Sequence, residues 1–426
     1  MRLTKPRLDL VVAFGSQAGY KFLGFLVLAM LARALTHADY GLLMFSISLA
    51  MLAASLTDLG ISQDLVRRAA ADPDGALRRA GTVLSARMPL LATYVVVVNV
   101  WVALTKPDAW PVVAAVSVYG IGLEINRTIC ALFVGLRRIT ESVRVFSPGL
   151  LTLVLVIALG SALDAGLPWM VGAYVLAGLV LGPRAIHMAN SRVGALRIRW
   201  RTRNLSKLFA GALPLFAMTM MAVLYIYADT LMVGYLRSYD EVAKYEAAAR
   251  LFEASQFLIR PFVLILFPIC AQLAAREDWG QLRRTLRLSL AGAAGLGIAA
   301  CIGIGLLADA VIRVVYTSTF AESAAVLRVL FVAAPSLYLA TVGMFMAASL
   351  HLDRIAMFAV AAGVGLNIVL NAMWIPDHGA LGAAWSTVAS LSFSALALGV
   401  MAFWFAHHPP ITGAEAEAQE AEVVVP

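Results

Sequence analysis

Apolar runs long enough to cross a bilayer follow one another almost without pause along this chain, and that repetition leaves few folds open. A spanning helix needs about 20 mostly apolar residues. Such runs occupy 9–32, 41–63, 83–105, 110–134, 144–163, 168–190, 208–234, 246–272, 286–308, 324–349, 355–375 and 381–405. None alternates polar and apolar as a membrane β-strand does, so helices are the spanning element that remains. The sequence predicts an all-α polytopic membrane protein of about 12 transmembrane helices. The chain is 61% hydrophobic and 14% charged. A soluble domain carries about 25% charged residues, so this chain lacks the polar surface to cover a soluble fold. The basic start MRLTKPRLDL leads into an apolar run too long for a signal peptide, and reads as an uncleaved first span.

Lysine and arginine set the orientation. With the N-terminus cytoplasmic, 23 of the 33 fall on the inner side, 7 on the outer side and 3 inside spans. Arg67, Arg68, Arg78, Arg79 and Arg87 belong to the inner group. Arg33, Lys106, Arg237, Lys244, Arg250, Arg313 and Arg328 form the outer one. A missed span would invert every later loop and erase this bias, so an even count with both termini inside is expected. The net charge of +8 fits loops facing anionic lipid better than a nucleic-acid partner.

The most basic loop falls in the middle, and the chain divides around it. The expected layout is an N-terminal lobe of six helices over 1–190, a basic cytoplasmic linker over 191–207 and a C-terminal six-helix lobe over 208–408. An acidic tail of low complexity, 409–426, closes the chain and reads as disordered. Two six-helix halves with a central loop is the layout of a parallel-repeat transporter. Prolines inside the spans (Pro89, Pro148, Pro214, Pro261, Pro268 and Pro335) suit either bent, moving helices or ordinary close packing.

Motifs for chemistry are missing. No GxxxxGK[ST] loop for ATP and no HExxH occur, and Cys130, Cys270 and Cys301 stand far apart in apolar runs. No catalytic residue, metal site or cofactor is expected. The informative residues are the ionisable groups at membrane depth, each a functional candidate because burial of charge in lipid is expensive. Lys21 stands halfway along the first span, with Gln17 on the same face. Glu124 and Arg127 are spaced i, i+3 in the fourth span. Glu253, Gln256 and Arg260 share a face of the eighth. Asp229 lies in the outer half of the seventh, and Asp58 near the inner end of the second. Glu124 and Arg127 can neutralise each other as a structural pair, and Asp58 and Asp229 can cap helices. Alternatively, Lys21, Gln17, Glu124, Arg127, Gln256 and Arg260 line a hydrated cavity whose basic groups suit a phosphate. In that reading Asp229 and Glu253 are candidates for ion coupling.

Four segments carry a family resemblance. LARALTHADYG…LTDLGI, through Arg33, Leu35, Tyr40, Gly41, Asp58 and Gly60, resembles the opening of Wzx-like oligosaccharide flippases of the MOP superfamily. DTLMVGYLRSYDEVAKYEAAARLFE (229–253) and DAVIRVVYTSTFAESAAVLRVL (309–330) resemble later segments of the same family, although Thr317 stands where a glycine is usual. GVGLNIVLNAMWIPDHGALGAAWSTVAS resembles its last two helices through Asn367, Asn371, Ile375, Pro376, Gly379, Gly382, Ala383, Ala384 and Thr387. The resemblance implies a two-lobe, MATE-like fold in the cell inner (plasma) membrane. It implies movement of an undecaprenyl-diphosphate-linked oligosaccharide between leaflets for O-antigen, capsule or exopolysaccharide biosynthesis. Membrane lipids, a polymerase and chain-length proteins would be its surroundings and partners, and it would not be an enzyme. Two other readings stand beside it: a cation-coupled drug exporter of the same fold, and a membrane enzyme of glycan assembly such as a polymerase.

Overall fold

Leucine, alanine, valine and glycine dominate the apolar runs, and in a computed structural model of the chain every run becomes helix. Residues 5–196, 205–350 and 352–407 are described, and no strand occurs among them. The helices are α1 (Lys5–Ala34), α2 (His37–Leu56), α3 (Ile61–Ala71), α4 (Ala76–Thr105), α5 (Trp110–Gly135), α6 (Ile139–Ala162) and α7 (Leu167–Arg192). They continue as α8 (Leu205–Leu236), α9 (Tyr239–Ala254), α10 (Gln256–Ala275), α11 (Trp279–Val315), α12 (Ser323–Val332), α13 (Ala334–Ser349) and α14 (Asp353–His407). Part of the linker read from the sequence, 197–204, and all of the tail, 409–426, lie outside the described residues.

Among the described residues, nine helical stretches are long and apolar enough to cross a membrane, and α12 with α13, bent by 45°, makes a tenth. Two further spans follow from length. The 55 residues of α14 would reach roughly 80 Å at 1.5 Å per residue, far beyond one bilayer. The helix breaks at Gly379, whose φ of 56° and ψ of −132° are non-helical, and so counts as two spans. The thirty residues of α1 supply the first, described in full from Phe22. The apolar run read over 41–63 is interrupted, however. α2 stops at Leu56, and the chain reverses through Leu59 and Gly60 with φ of 47° and 73° before α3 begins.

By packing, the chain falls into two compact units. The first comprises Met1–Arg250, Asp309–Ala324 and Asn371–Ala383; the second comprises Leu251–Ala308, Ala325–Leu370 and Ala384–Pro426. Small residues build the first. A Cβ on Gly122 would stand 2.2 Å from the Gly178 carbonyl oxygen, so α5 and α7 cross backbone to backbone. Thr36 caps α2 by accepting the Asp39 N–H at 3.2 Å, with Asp39 in the first turn where a negative charge is favoured. Between α3 and α4 the Gly75 N–H and the Arg79 guanidinium hold the Asp72 carboxyl below the usual carboxylate range. In the second unit, Gly297 of α11 lies against Pro335, and Tyr338 of α13 donates to the Ser255 carbonyl at 2.9 Å.

Candidate functional site

The turn after α2 carries Asp58, and α4 and α5 lie beside it. Together they enclose a four-membered ion cluster in the first unit. Arg87 of α4 is fully buried, and its Nη2 lies 2.8 Å from Asp58 Oδ1. The same nitrogen meets Glu124 of α5. Its Nη1 donates to Thr128 at 2.6 Å and to Ser62 and the Glu124 carbonyl, each at 3.3 Å. The other Glu124 oxygen accepts from Arg127 Nη1 at 2.7 Å. Glu124 and Arg127 therefore do pair, but as part of a larger cluster. Two carboxylates balance two guanidiniums, as groups out of water require. Exposure separates the members: the Glu124 side chain is 1% accessible and the Arg127 side chain 44%. Arg127 is the cluster's free face, held by a buried base. Arg87, which the charge count placed with the inner-side loops, is the residue sequence reasoning missed. The D-x-G motif was its signal: the Gly60 turn presents Asp58 to it.

A second polar group joins α8, α9 and the 371–383 stretch of the same unit. Asp229 accepts from the Tyr245 hydroxyl on one oxygen and from Asn371 Nδ2 at 2.6 Å on the other. One residue on, Thr230 donates to Glu246, which also takes Arg250 Nε at 2.7 Å. Asp229 is thus a buried acceptor between helices. Glu253, three residues beyond Arg250 on α9, is half-buried. On α10 of the second unit, Arg260 is exposed and approaches Gln256 at 3.5 Å. Gln17 and Lys21 lie on α1, but their side chains are outside the described residues. The candidate residues are therefore spread over both units. Glu124 with Arg127, and Gln256 with Arg260, are brought into direct contact.

A third cluster gathers loops that the charge count assigns to the outer side. Arg33 at the end of α1 donates to the Val314 and Val315 carbonyls, at 2.6 and 3.2 Å. His37 and Tyr40 pack on Phe320, with ring centroids 4.2 and 5.4 Å away. Arg237 donates to the Pro376 carbonyl at 2.7 Å. Glu241 accepts the Ala380 N–H at 2.8 Å and the Lys244 ammonium at 2.8 Å, and Lys244 also meets Glu322. The Lys106 ammonium stands 5.6 Å over the Tyr239 ring. Gly41 is obligatory here, since a Cβ would fall 1.7 Å from the Tyr239 carbonyl oxygen. The family-like residues Arg33, Tyr40, Gly41, Pro376 and Gly379 all sit in this seal. Among the described residues, no three His, Cys, Asp or Glu are grouped to hold a metal ion.

Comparison with known proteins matches residues 9–274 to the family model described as polysaccharide biosynthesis protein. No curated protein matches the chain in sequence. Among solved structures, the chain is similar to the lipid II flippase MurJ in an inward closed conformation, with a TM-score of 0.73 and 12% identity, over 92% of this chain and 87% of that one. It is also similar to an inward-facing multidrug resistance MATE family transporter of the MOP superfamily, with a TM-score of 0.66 and 14% identity, over 91% and 94%. A third is a MOP superfamily transporter from Pyrococcus furiosus with a binding pocket of reversed polarity, with a TM-score of 0.57 and 14% identity, over 94% of each chain. At these identities the likeness establishes the fold alone, the all-helical fold that these structures share.

Proposed function

Because the chain belongs to the polysaccharide biosynthesis protein family, we propose that it is a flippase for an undecaprenyl-diphosphate-linked oligosaccharide. It moves the headgroup from the cytoplasmic to the outer leaflet of a bacterial inner membrane by alternating access, and does no covalent chemistry. The two moving bodies are the six-helix lobes over 1–190 and 208–408, joined by the basic linker, with both termini inside. The observation that carries this reading is Arg127. Its half-exposed guanidinium projects at membrane depth from a buried, charge-balanced cluster. A fork of donors held in that way suits a diphosphate, which accepts two hydrogen bonds at once. Lys21, Gln17, Gln256 and Arg260 add donors for the same anionic headgroup, while Glu124 orients Arg127. Asp229 and Glu253 are the candidates for coupling to a proton or sodium gradient. A cationic drug would need an acidic lining, and an arginine presented outward from its paired carboxylate favours an anion.

Glycan export in cells tests the reading. Lys21→Ala, Arg127→Ala and Arg260→Ala combined should abolish surface glycan at unchanged protein level. Lipid-linked units should then accumulate on the inner leaflet. Unchanged export would remove the diphosphate role from these residues. Loss of polymerised chains with single units still reaching the outer leaflet would instead identify a polymerase.

A further inference from the structure

The first three turns of α11 present two unlike faces. Leu282 and Leu286 are buried, at 0% and 4% exposure, and seat the helix in its unit. Around the helix from them, Arg283, Arg284, Arg287 and Leu288 line an open concavity of ≈ 540 Å³ whose rim is Gly280. Arg283 with Arg287, and Arg284 with Leu288, are i, i+4 neighbours, so the three guanidiniums crowd one patch of surface. Arg284 and Arg287 are exposed. Leu288 is 65% exposed, and the helix continues with exposed Ile298, Ile302 and Leu306.

Length fixes where this patch stands. The 37 residues of α11 extend about 55 Å, while the hydrocarbon core is about 30 Å thick. Its apolar exposed surface begins at Leu288, so the arginine turns before it lie at headgroup level. Trp279, the first residue of the helix, is of the type enriched at that depth. A row of guanidiniums directly above an apolar, lipid-length surface matches the shape of an amphiphile with a phosphate head. The nearby Asp278 carboxylate is engaged with the helix start, accepting the Gln281 N–H at 3.0 Å.

We propose that Arg283, Arg284 and Arg287 form a binding site for a lipid-borne phosphate, with the acyl or isoprenoid chain running along α11 from Leu288. The chemistry has two sources, a phospholipid headgroup or a polyprenyl diphosphate. The site is separate from Arg127 and does not depend on the transport reading.

Native mass spectrometry of the full chain tests this with three probes: phosphatidylglycerol, phosphatidylcholine and undecaprenyl diphosphate. The wild type should retain the anionic lipids over phosphatidylcholine. Each basic residue near an anionic surface is worth about fivefold in affinity. The R283Q/R284Q/R287Q variant should therefore lose more than tenfold, with the triple lysine variant recovering part of the loss. If phosphatidylglycerol shows the loss, the site holds a structural phospholipid. If only undecaprenyl diphosphate does, the site receives the isoprenoid lipid. Equal retention of both anionic lipids by wild type and triple glutamine variant overturns the proposal. Should the triple variant not fold, R284Q and R287Q alone carry the test, each with a loss of about fivefold expected.

Discussion

A guanidinium with no exposure is tolerated inside a membrane helix only when all its partners are already in place. Asp58, Glu124 and Thr128 satisfy both terminal nitrogens of Arg87, and its Nε alone is left without a partner among the described residues. Removing Arg87 would leave two carboxylates to the single guanidinium of Arg127, with Asp58 unpaired, and an uncompensated buried charge costs about 3–5 kcal/mol. We expect Arg87→Leu to lower the thermal midpoint in detergent sharply or to prevent recovery of folded protein. Arg127→Gln should behave differently, because its side chain is 44% exposed. Its melting should stay within a few degrees of wild type while export is lost. Equal destabilisation by the two changes would make Arg127 a structural member of the cluster and remove its transport role. The sequence showed half of this arrangement. The i, i+3 spacing of Glu124 and Arg127 is local and legible, whereas Arg87 reaches partners on another helix and in another turn, and nothing in its own segment marks it. Asp229 is a similar case: its membrane depth was readable, but its partner Asn371 lies 142 residues away. If Asp229 couples transport to an ion, Asp229→Asn keeps the size of the side chain and removes the charge, while one of its two acceptor oxygens becomes a donor. Wild-type export should then fall when proton and sodium gradients are collapsed, while the variant's residual export should not respond. A variant as gradient-sensitive as the wild type would count against the coupling role.

At the level of elements, the segments with family-like residues share a location. Arg33, Tyr40 and Gly41 at the junction of α1 and α2 engage the end of α11, the Ser318–Phe320 turn and the start of α9. Pro376 and Gly379 at the break of α14 engage Arg237 and Glu241. The sequence displayed these residues without their use, since a motif of one arginine, one tyrosine and one glycine has no periodicity to interpret. Gly41→Ala is the direct probe. Its Cβ would overlap the Tyr239 carbonyl by far more than side-chain adjustment absorbs, so the two elements must separate; overpacking of this sort costs about 1–3 kcal/mol. We expect a cysteine introduced at Val315 to become more reactive toward a membrane-impermeant maleimide in the Gly41→Ala background. Glu241→Gln should act in the same direction but more weakly, because it softens the contacts with Lys244 and Ala380 without adding bulk. Unchanged labelling in both would mean that these contacts do not hold the seal closed.

The whole molecule was the most legible scale, because hydropathy and charge bias depend only on the order of residues. Twelve runs were readable, and their loop parity has structural support. The loops bearing Arg33, Lys106, Arg237, Lys244 and the α14 break, assigned to one side by charge alone, meet at one end. Boundaries were less legible. The run over 41–63 hid the positive-φ turn at Leu59 and Gly60, whereas the break at Gly379 in α14 falls in the gap between the runs 355–375 and 381–405. The same end-of-bundle contacts explain why the first packing unit collects Asp309–Ala324 and Asn371–Ala383 from late in the chain. The proposed alternating access would require these contacts to break in every cycle, and that requirement can be tested by preventing it. In a chain whose Cys130, Cys270 and Cys301 are replaced, cysteines at Arg33 and Val315 can be joined by a short reducible bifunctional reagent. Their native side-chain to backbone distance is 3.2 Å, well within its reach. Cross-linking should arrest glycan export to the background of a strain lacking the protein, and reduction should restore it. Each single-cysteine chain treated with the same reagent should export normally, which separates the cross-link from simple modification. Undiminished export by the cross-linked chain would show that this end need not open, and transport would have to proceed without alternating access at this seal.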